Sequence, residues 1–342
     1  MRKSLTYLLV FILVLGTGGC NNPAERETEI HTDSEVPVAG PRPRRISLAA
    51  SSGVFCDLAE KMREFSGNTI ELLIYPDGAL GNDGSIITGV RNGTVSMIIG
   101  STSGQGSEVP ELALLDIPYL FEDLEQCNQL LKGPLQEWFQ PYYNQAGLQL
   151  ISWRTSGYRM MTTNIPVLQA QDLQALTIRT MENSYHEAYW SALGAEVKEM
   201  GFSQVVYALQ QGIINSQENP LSTILHSGVA SVQEYVVKTD HLPFILAYVM
   251  NKELYDSLTP EEQDTLCRFF HELGDQFEKN AEEGRVNSLW ECQETYGMEI
   301  LEPGEELLAV MKEKNQVVID LLKQNLGEAR VNAYLELVEE AK

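Results

Sequence analysis

Two arginines and an asparagine are the residues best placed to do chemistry in this chain. Arg159 follows a turn expected at Ser156-Gly157-Tyr158, Arg179 lies in the run Leu176-Thr177-Ile178-Arg179-Thr180, and Asn219 sits in Gln217-Glu218-Asn219-Pro220. A guanidinium offers five donors in a rigid fork, which meets a carboxylate through two parallel bonds. If Leu176–Thr180 is a strand, its side chains alternate, and Arg179 points away from the face that buries Ile178. The arginines therefore predict a site for the acid group of a small organic ligand. Plainer uses compete. A chain with 48 acidic residues readily supplies structural ion pairs, and Arg154 has surroundings like those of Arg159. An Asn before Pro also starts turns. Glu218 reads as structural, because a carboxylate facing an acid ligand would be unfavourable.

Other chemistries find little support. His186, His226, His241 and His271 show no metal-ligand spacing, and Cys56, Cys127, Cys267 and Cys292 contain no C-x-x-C pair. Spacing leaves the pairing of those cysteines open. No G-x-S-x-G elbow occurs. The segment Gly100-Ser101-Thr102-Ser103-Gly104-Gln105-Gly106 lacks the lysine of a phosphate loop and does not fit a dinucleotide fingerprint. It reads instead as a loop at the carboxyl end of a strand, with Ser101, Thr102 and Ser103 in a cleft wall. No metal, no cofactor and no enzymatic activity are expected. With 24 basic residues and a net charge of −24, nucleic acid is excluded as a partner. Salt screens the repulsion of an anionic ligand beyond about 8 Å, so a local arginine pair can still hold it.

The amino terminus predicts export. Arg2 and Lys3 precede the apolar run Leu8–Leu15, too short for a spanning helix, and Gly16-Thr17-Gly18-Gly19-Cys20 follows. Small residues before a cysteine resemble a bacterial lipobox, which would make residues 1–20 a signal peptide and Cys20 the lipidated terminus. Residues 21–45, polar and carrying Pro37, Pro41 and Pro43, read as a disordered tether.

The elements that must position the arginines alternate along the body. Strands are predicted over Ile46–Ala50, Thr69–Tyr75 and Val95–Ile99, with helices over Phe55–Phe65 and Ser85–Asn92 between them. That alternation points to an α/β fold with a mostly parallel sheet. Helices are then expected at Leu124–Leu131 and Leu135–Tyr143, with a strand at Leu148–Trp153. Beyond Arg179 come a helix at Tyr185–Leu193, one capped by Ser203, a short strand Ile213–Ser216, a helix Leu221–Tyr235 and a strand His241–Met250. Thr259-Pro260-Glu261-Glu262 is a helix start, and its periodicity runs on towards Trp290, about 45 Å. Amphipathic helices close the chain after Pro303-Gly304.

From Ile46 to Tyr296 the chain resembles the solute-binding proteins of tripartite ATP-independent periplasmic (TRAP) transporters, of the dicarboxylate-binding type. The resemblance rests on Leu80-Gly81, Asp116-Ile117-Pro118-Tyr119-Leu120-Phe121, Gly157-Tyr158-Arg159, Ile178-Arg179, Leu193-Gly194-Ala195, Val206–Gly212 and Gln217–Ser222, in matching order and spacing. Asn215-Ser216 stands where that family usually has Asp-Gly. The resemblance implies a two-lobe periplasmic-binding-protein-like architecture with hinge strands and a long helix spanning both lobes. One lobe would take residues 46–156 plus 244–284, the other 157–243 plus 285–342. It implies that Arg179 pairs with the ligand carboxylate, that Arg159 and Asn219 assist, and that Phe202 lines the cleft. It further implies an extracytoplasmic, lipid-anchored protein that hands an organic acid to the small and large membrane subunits of a TRAP permease. A ligand sensor for a signalling partner is the alternative use of the same cleft.

Overall fold

The structure is a computed structural model that describes residues 42–51, 57–279 and 281–341. Cys20, most of the expected tether and Cys56 lie outside the described residues. Strand β1 (Arg44–Ala50) is followed by α1 (Leu58–Phe65), β2 (Ile70–Tyr75), α2 (Asp83–Arg91) and β3 (Met97–Ser101). β1 pairs in parallel with both β2 and β3, as the alternation of elements requires. The apolar stretch after the glycine-rich loop forms a 3-10 turn, Pro110–Asp116, and then α3 (Leu124–Lys132) and α4 (Pro134–Gln145).

The next strand is far longer than its sequence suggests. β4 (Leu148–Thr163) runs straight through the expected Ser-Gly-Tyr turn, which appears as a break in register between Thr155 and Tyr158. Gly157 takes a φ of 84° there, a conformation open to glycine and strained for other residues. β5 (Thr177–Thr180), α5 (Ser184–Ala192), β6 (Glu196–Glu199), α6 (Val205–Gln210), β7 (Ser216–Pro220) and α7 (Leu221–His226) follow. β8 (Tyr235–Asn251) then lies antiparallel to β4 along its whole length. Opposite Tyr158 it carries Pro243, which lacks an N–H and is tolerated at such an irregularity.

These two strands join the halves of the molecule. The sheet order is β2-β1-β3-β8-β4-β7-β5-β6, so β8 and β4 form the centre, with one parallel group on each side. β3 pairs the carboxyl half of β8, whereas β9 (Glu299–Leu301) pairs its amino half. The result is the expected two-lobe α/β architecture with hinge strands. After α8 (Lys252–Asp256), the predicted long helix appears as α9 (Pro260–Lys279) and α10 (Ala281–Glu294), on either side of residue 280. Its start is a closed capping box. The Thr259 Oγ1 accepts the Glu262 amide (3.2 Å) and Glu262 accepts the Thr259 amide (2.9 Å). α9 buries Leu266, Phe269, Phe270 and Leu273 against β1, β3 and β8 in one half, while α10 lies on α7 and β9 in the other.

Three local expectations fail for physical reasons. Ser203 caps no helix: a 3-10 turn, Phe202–Gln204, leads into α6 without a side-chain cap. The helix expected over Leu221–Tyr235 stops at His226, because Gly228 adopts a φ of 85° and a 3-10 turn follows. The strand expected over Ile213–Ser216 begins only at Ser216 and runs through Asn219-Pro220, as β7. The chain closes with α11 (Glu305–Glu313), α12 (Asn315–Leu326) and α13 (Glu328–Glu339). α13 returns to the early helices: Arg330 pairs with Glu111 (2.6 Å), and the Tyr334 ring lies 6.1 Å from that of Phe139.

Candidate functional site: a cleft with one acid-free arginine

A cavity of about 900 Å³ opens where the carboxyl ends of β1 and β3 meet those of β5 and β7. Its wall draws on Asp83 from α2, Ser101 and Thr102 after β3, Arg179 from β5, Phe202 before α6, Asn219 from β7 and Phe244 from β8. Five of the six predicted ligand residues therefore meet in one place: Arg179, Asn219, Phe202, Ser101 and Thr102. The sixth, Arg159, does not line the cavity.

The pleat sorts the side chains of β5 as expected. Ile178 joins the hydrophobic core with no exposed surface, and Arg179 reaches the cavity wall at 3% exposure. The Arg179 guanidinium donates from Nε (3.0 Å) and Nη2 (2.7 Å) to the carbonyl oxygen of Met200, and its Cζ lies 5.6 Å from the centre of the Phe202 ring. Nη1 makes no hydrogen bond to the described residues, and no carboxylate among them pairs with this arginine. Burial pulls the guanidinium down to about 10, which leaves it charged at neutral pH.

Arg159 has no exposed surface and sits behind that wall. Its Nε donates to Glu218 Oε2, and its Nη2 to Glu218 Oε1 (2.7 Å), to the Glu218 carbonyl (2.8 Å) and to Asn219 Oδ1 (3.3 Å). The fork thus meets a carboxylate as predicted for an arginine, but the carboxylate is the chain's own. Glu218 is structural, as the sequence suggested. Burial would raise its carboxyl, yet Arg159, His186 and His241 outweigh that and hold it well below the usual range. Asn219 Nδ2 donates to Gln217 Oε1 (2.6 Å), so its amide is oriented from both ends.

Sequence reasoning missed the residues that bridge the cleft. Asn183 caps α5 by accepting the amides of Tyr185 (2.9 Å) and His186 (3.2 Å), and its Nδ2 donates across to Asp116 Oδ2 (2.8 Å) and the Ser103 carbonyl (2.9 Å). His186 is buried, with Nε2 3.4 Å from Asp116 and Nδ1 3.6 Å from Glu218. Neither separation is an aligned hydrogen bond, so the attraction is mainly Coulombic. Burial pulls this imidazole down, but the two carboxylates outweigh it and push His186 up to about 9. Asp116 lies in the segment Asp116–Phe121 that carries the family resemblance, but its apolar neighbours give no sign of a role in the site. His186 carried no spacing signal, since its partners come from other elements. Among the described residues, no cluster of His, Cys, Asp or Glu could hold a metal ion. Cys127, Cys267 and Cys292 are free thiols. No helix among these residues is long and apolar enough to cross a membrane.

Comparison with known proteins agrees with this geometry. Residues 50–325 match the family described as bacterial extracellular solute-binding protein, family 7. A solute-binding protein of Verminephrobacter eiseniae is 32% identical over 222 residues, 64% of this chain and 66% of that protein. The 2,3-diketo-L-gulonate-binding periplasmic protein of Escherichia coli is 30% identical over 214 residues, 62% of this chain and 65% of its own. The match therefore spans just under two thirds of each relative. Among solved structures, the sugar acid binding protein of Advenella mimigardefordensis in complex with galactonate superposes with a TM-score of 0.81. It is 24% identical and covers 88% of this chain and 99% of its own. A TRAP solute-binding protein of Sulfurospirillum deleyianum with bound succinate gives 0.78 at 21% identity, covering 87% and 99%. The family match covers most of the chain: this chain belongs to the bacterial extracellular solute-binding proteins, family 7, the DctP-type family of TRAP solute-binding proteins.

Proposed function

We propose that this protein captures an organic acid in the cleft between its lobes and delivers it to the small and large membrane subunits of a TRAP-type secondary transporter. The observation that carries this reading is Arg179, a buried cation on the wall of a large cavity, whose hydrogen bonds among the described residues go to a backbone carbonyl alone. A buried charge without a counter-ion is costly unless something completes it. A ligand carboxylate does so through charge-assisted bonds of roughly 1.5–3 kcal/mol. In this reading Arg159 acts indirectly, by holding Asn219 ready for the ligand. Ser101, Thr102 and Phe202 close around the guest, and the relatives' named ligands, sugar acids and a C4 acid, set the size range.

The lobes divide at residues 156 and 243 on the hinge strands, with 46–156 plus 244–284 against 157–243 plus 285–342. α13 reaches back across that division through Arg330 and Tyr334. Closure brings Asn183 and His186 onto Asp116, excludes water and presents both lobes to the permease. Residues 1–20 direct export, and lipid on Cys20 anchors the protein outside the cytoplasm. In this reading the protein binds and releases its ligand without a metal, a cofactor or a chemical step. A thermal-shift panel of organic acids on the wild type and on Arg179→Ala tests the reading. Stabilisation by at least one acid that vanishes in the variant supports it. Equal stabilisation of both proteins refutes it.

A further inference from the structure

Besides Arg179, the cavity wall carries four carboxylates: Asp77, Asp83, Asp116 and Glu182. Asp77 is exposed, and two others are accounted for. Asp116 accepts Ser103 Oγ and Asn183 Nδ2 and faces His186, while Glu182 is exposed and accepts Asn82 Nδ2 (3.2 Å). Asp83 is different. It has no ion pair with the described residues, and its Oδ1 accepts the Ser51 hydroxyl (2.7 Å). The backbone is shaped to admit it. A Cβ on Gly100 would stand 2.4 Å from Asp83 Oδ1, and one on Gly104 would stand 2.5 Å from Asp83 Cβ. Beside it, Ser101 is 3% exposed and its hydroxyl has no hydrogen-bond partner among the described residues, although Ser101 lines the cavity. A carboxylate that accepts the Ser51 hydroxyl and the Ser101 amide but has no ion pair among the described residues, and an orphaned hydroxyl in the same ligand cavity, form an acceptor-rich corner. Burial raises Asp83 to about 6, so it is largely ionised at neutral pH.

We propose that Asp83 and Ser101 form a selectivity subsite that takes a hydrogen-bond donor elsewhere on the ligand, a hydroxyl or an ammonium, and rejects a second carboxylate. This rests on the reading of Arg179 as the carboxylate anchor. The cleft then selects monocarboxylates with a donor on the remainder of the molecule. A dicarboxylate of the same length sets one carboxylate against another in a buried site, which disfavours it by about a hundredfold.

Matched probes test this by calorimetric titration of the full chain. L-gulonate and D-glucarate share a polyhydroxy skeleton and differ only in a terminal hydroxymethyl or carboxylate. In a four-carbon series, 4-hydroxybutyrate, 4-aminobutyrate and succinate end in a hydroxyl, an ammonium or a second carboxylate. The wild type should bind the donor-ended member of a series about a hundredfold more tightly than the dicarboxylate. Preference for the hydroxyl or the ammonium identifies the donor. Asp83→Asn should shrink the gap below tenfold. Ser101→Ala, which leaves the carboxylate in place, should weaken the donor-ended member about tenfold and serves as the arbiter if Asp83→Asn does not fold. A dicarboxylate bound by the wild type as tightly as its partner, or a gap unchanged in Asp83→Asn, overturns the inference. Binding of none of the five probes by the wild type overturns the anchor reading instead.

Discussion

Replacing Asp83 by Asn should make the empty protein more stable at neutral pH, although it removes a charge from the first turn of a helix. In the folded chain, burial lifts the Asp83 carboxyl from 3.8 to about 6. Folding therefore takes up a proton between those values, and the ionised carboxylate is a burden on the folded state. The burden is absent below about pH 4, grows as pH rises and is complete above about pH 6. Its size, from the displacement of the pKa, is at most ~3 kcal/mol. Against this stands the attraction between a carboxylate and the amino end of α2, about 0.3–1 kcal/mol. The Asn amide oxygen can still accept the Ser51 hydroxyl, so that bond offsets little. The net gain for Asp83→Asn is about 2 kcal/mol above pH 6. For a body running from Arg42 to Lys342, this is a rise in Tm of about 4 °C. Urea unfolding of both proteins at half-unit steps from pH 4 to 8 would measure it. A stability difference that does not change with pH, or a variant less stable than wild type at pH 8, would refute the reasoning.

Three further outcomes follow from the site. Arg179→Ala should abolish ligand-induced thermal stabilisation without lowering the Tm of the empty protein, because it deletes a buried cation that has no acid partner among the described residues; differential scanning fluorimetry reads both quantities. Arg159→Met should cost about 3–5 kcal/mol in chemical denaturation by stranding Glu218, and Arg159→Met with Glu218→Met should recover most of it. His186, raised from 6.5 to about 9 where Asp116 and Glu218 outweigh its burial, contributes stability that is complete below pH 6.5. That contribution should be lost as pH rises through about 9, and His186→Gln should flatten this part of the stability–pH curve.

The sequence made the lobes, the hinge region and Arg179 legible because each depends on a local pattern. Alternating strands and helices give the parallel groups, and a four-residue β-branched strand places Arg179 opposite Ile178 whatever surrounds it. The role of Arg159 was not legible. Its partner Glu218 is 59 positions away, and only the pairing of β4 with β7, Arg159 opposite Pro220, brings them together. Ser156-Gly157-Tyr158 has the composition of a turn, yet 12 of the register positions of β4 on β8 hold it inside a strand. Tertiary pairing overrides local preference there. Asp83 was hidden by the same logic. The glycines that admit it, Gly100 and Gly104, are ordinary loop residues until β3 is laid beside α2.

The charges of the cleft explain why one arginine is free and the other is not. Arg159 is matched by Glu218, and His186, held protonated, is matched by Asp116, so these four groups form a ladder that is neutral without a guest. The ladder runs from the 3-10 turn ending at Asp116, through α5, to β7, and it ends on Asn219 in the cavity wall. In the proposed reading, a ligand that draws on Asn219 would pull on the same bonds that tie α5 to Asp116 across the cleft, which would couple occupancy to closure. Left outside the ladder, apart from the exposed Asp77 and Glu182, are Arg179 and Asp83, one cation and one anion on a shared wall. A guest with a single carboxylate and a donor group satisfies both. A guest with two carboxylates satisfies Arg179 and opposes Asp83, and it closes the lobes over a repulsion that no described residue relieves.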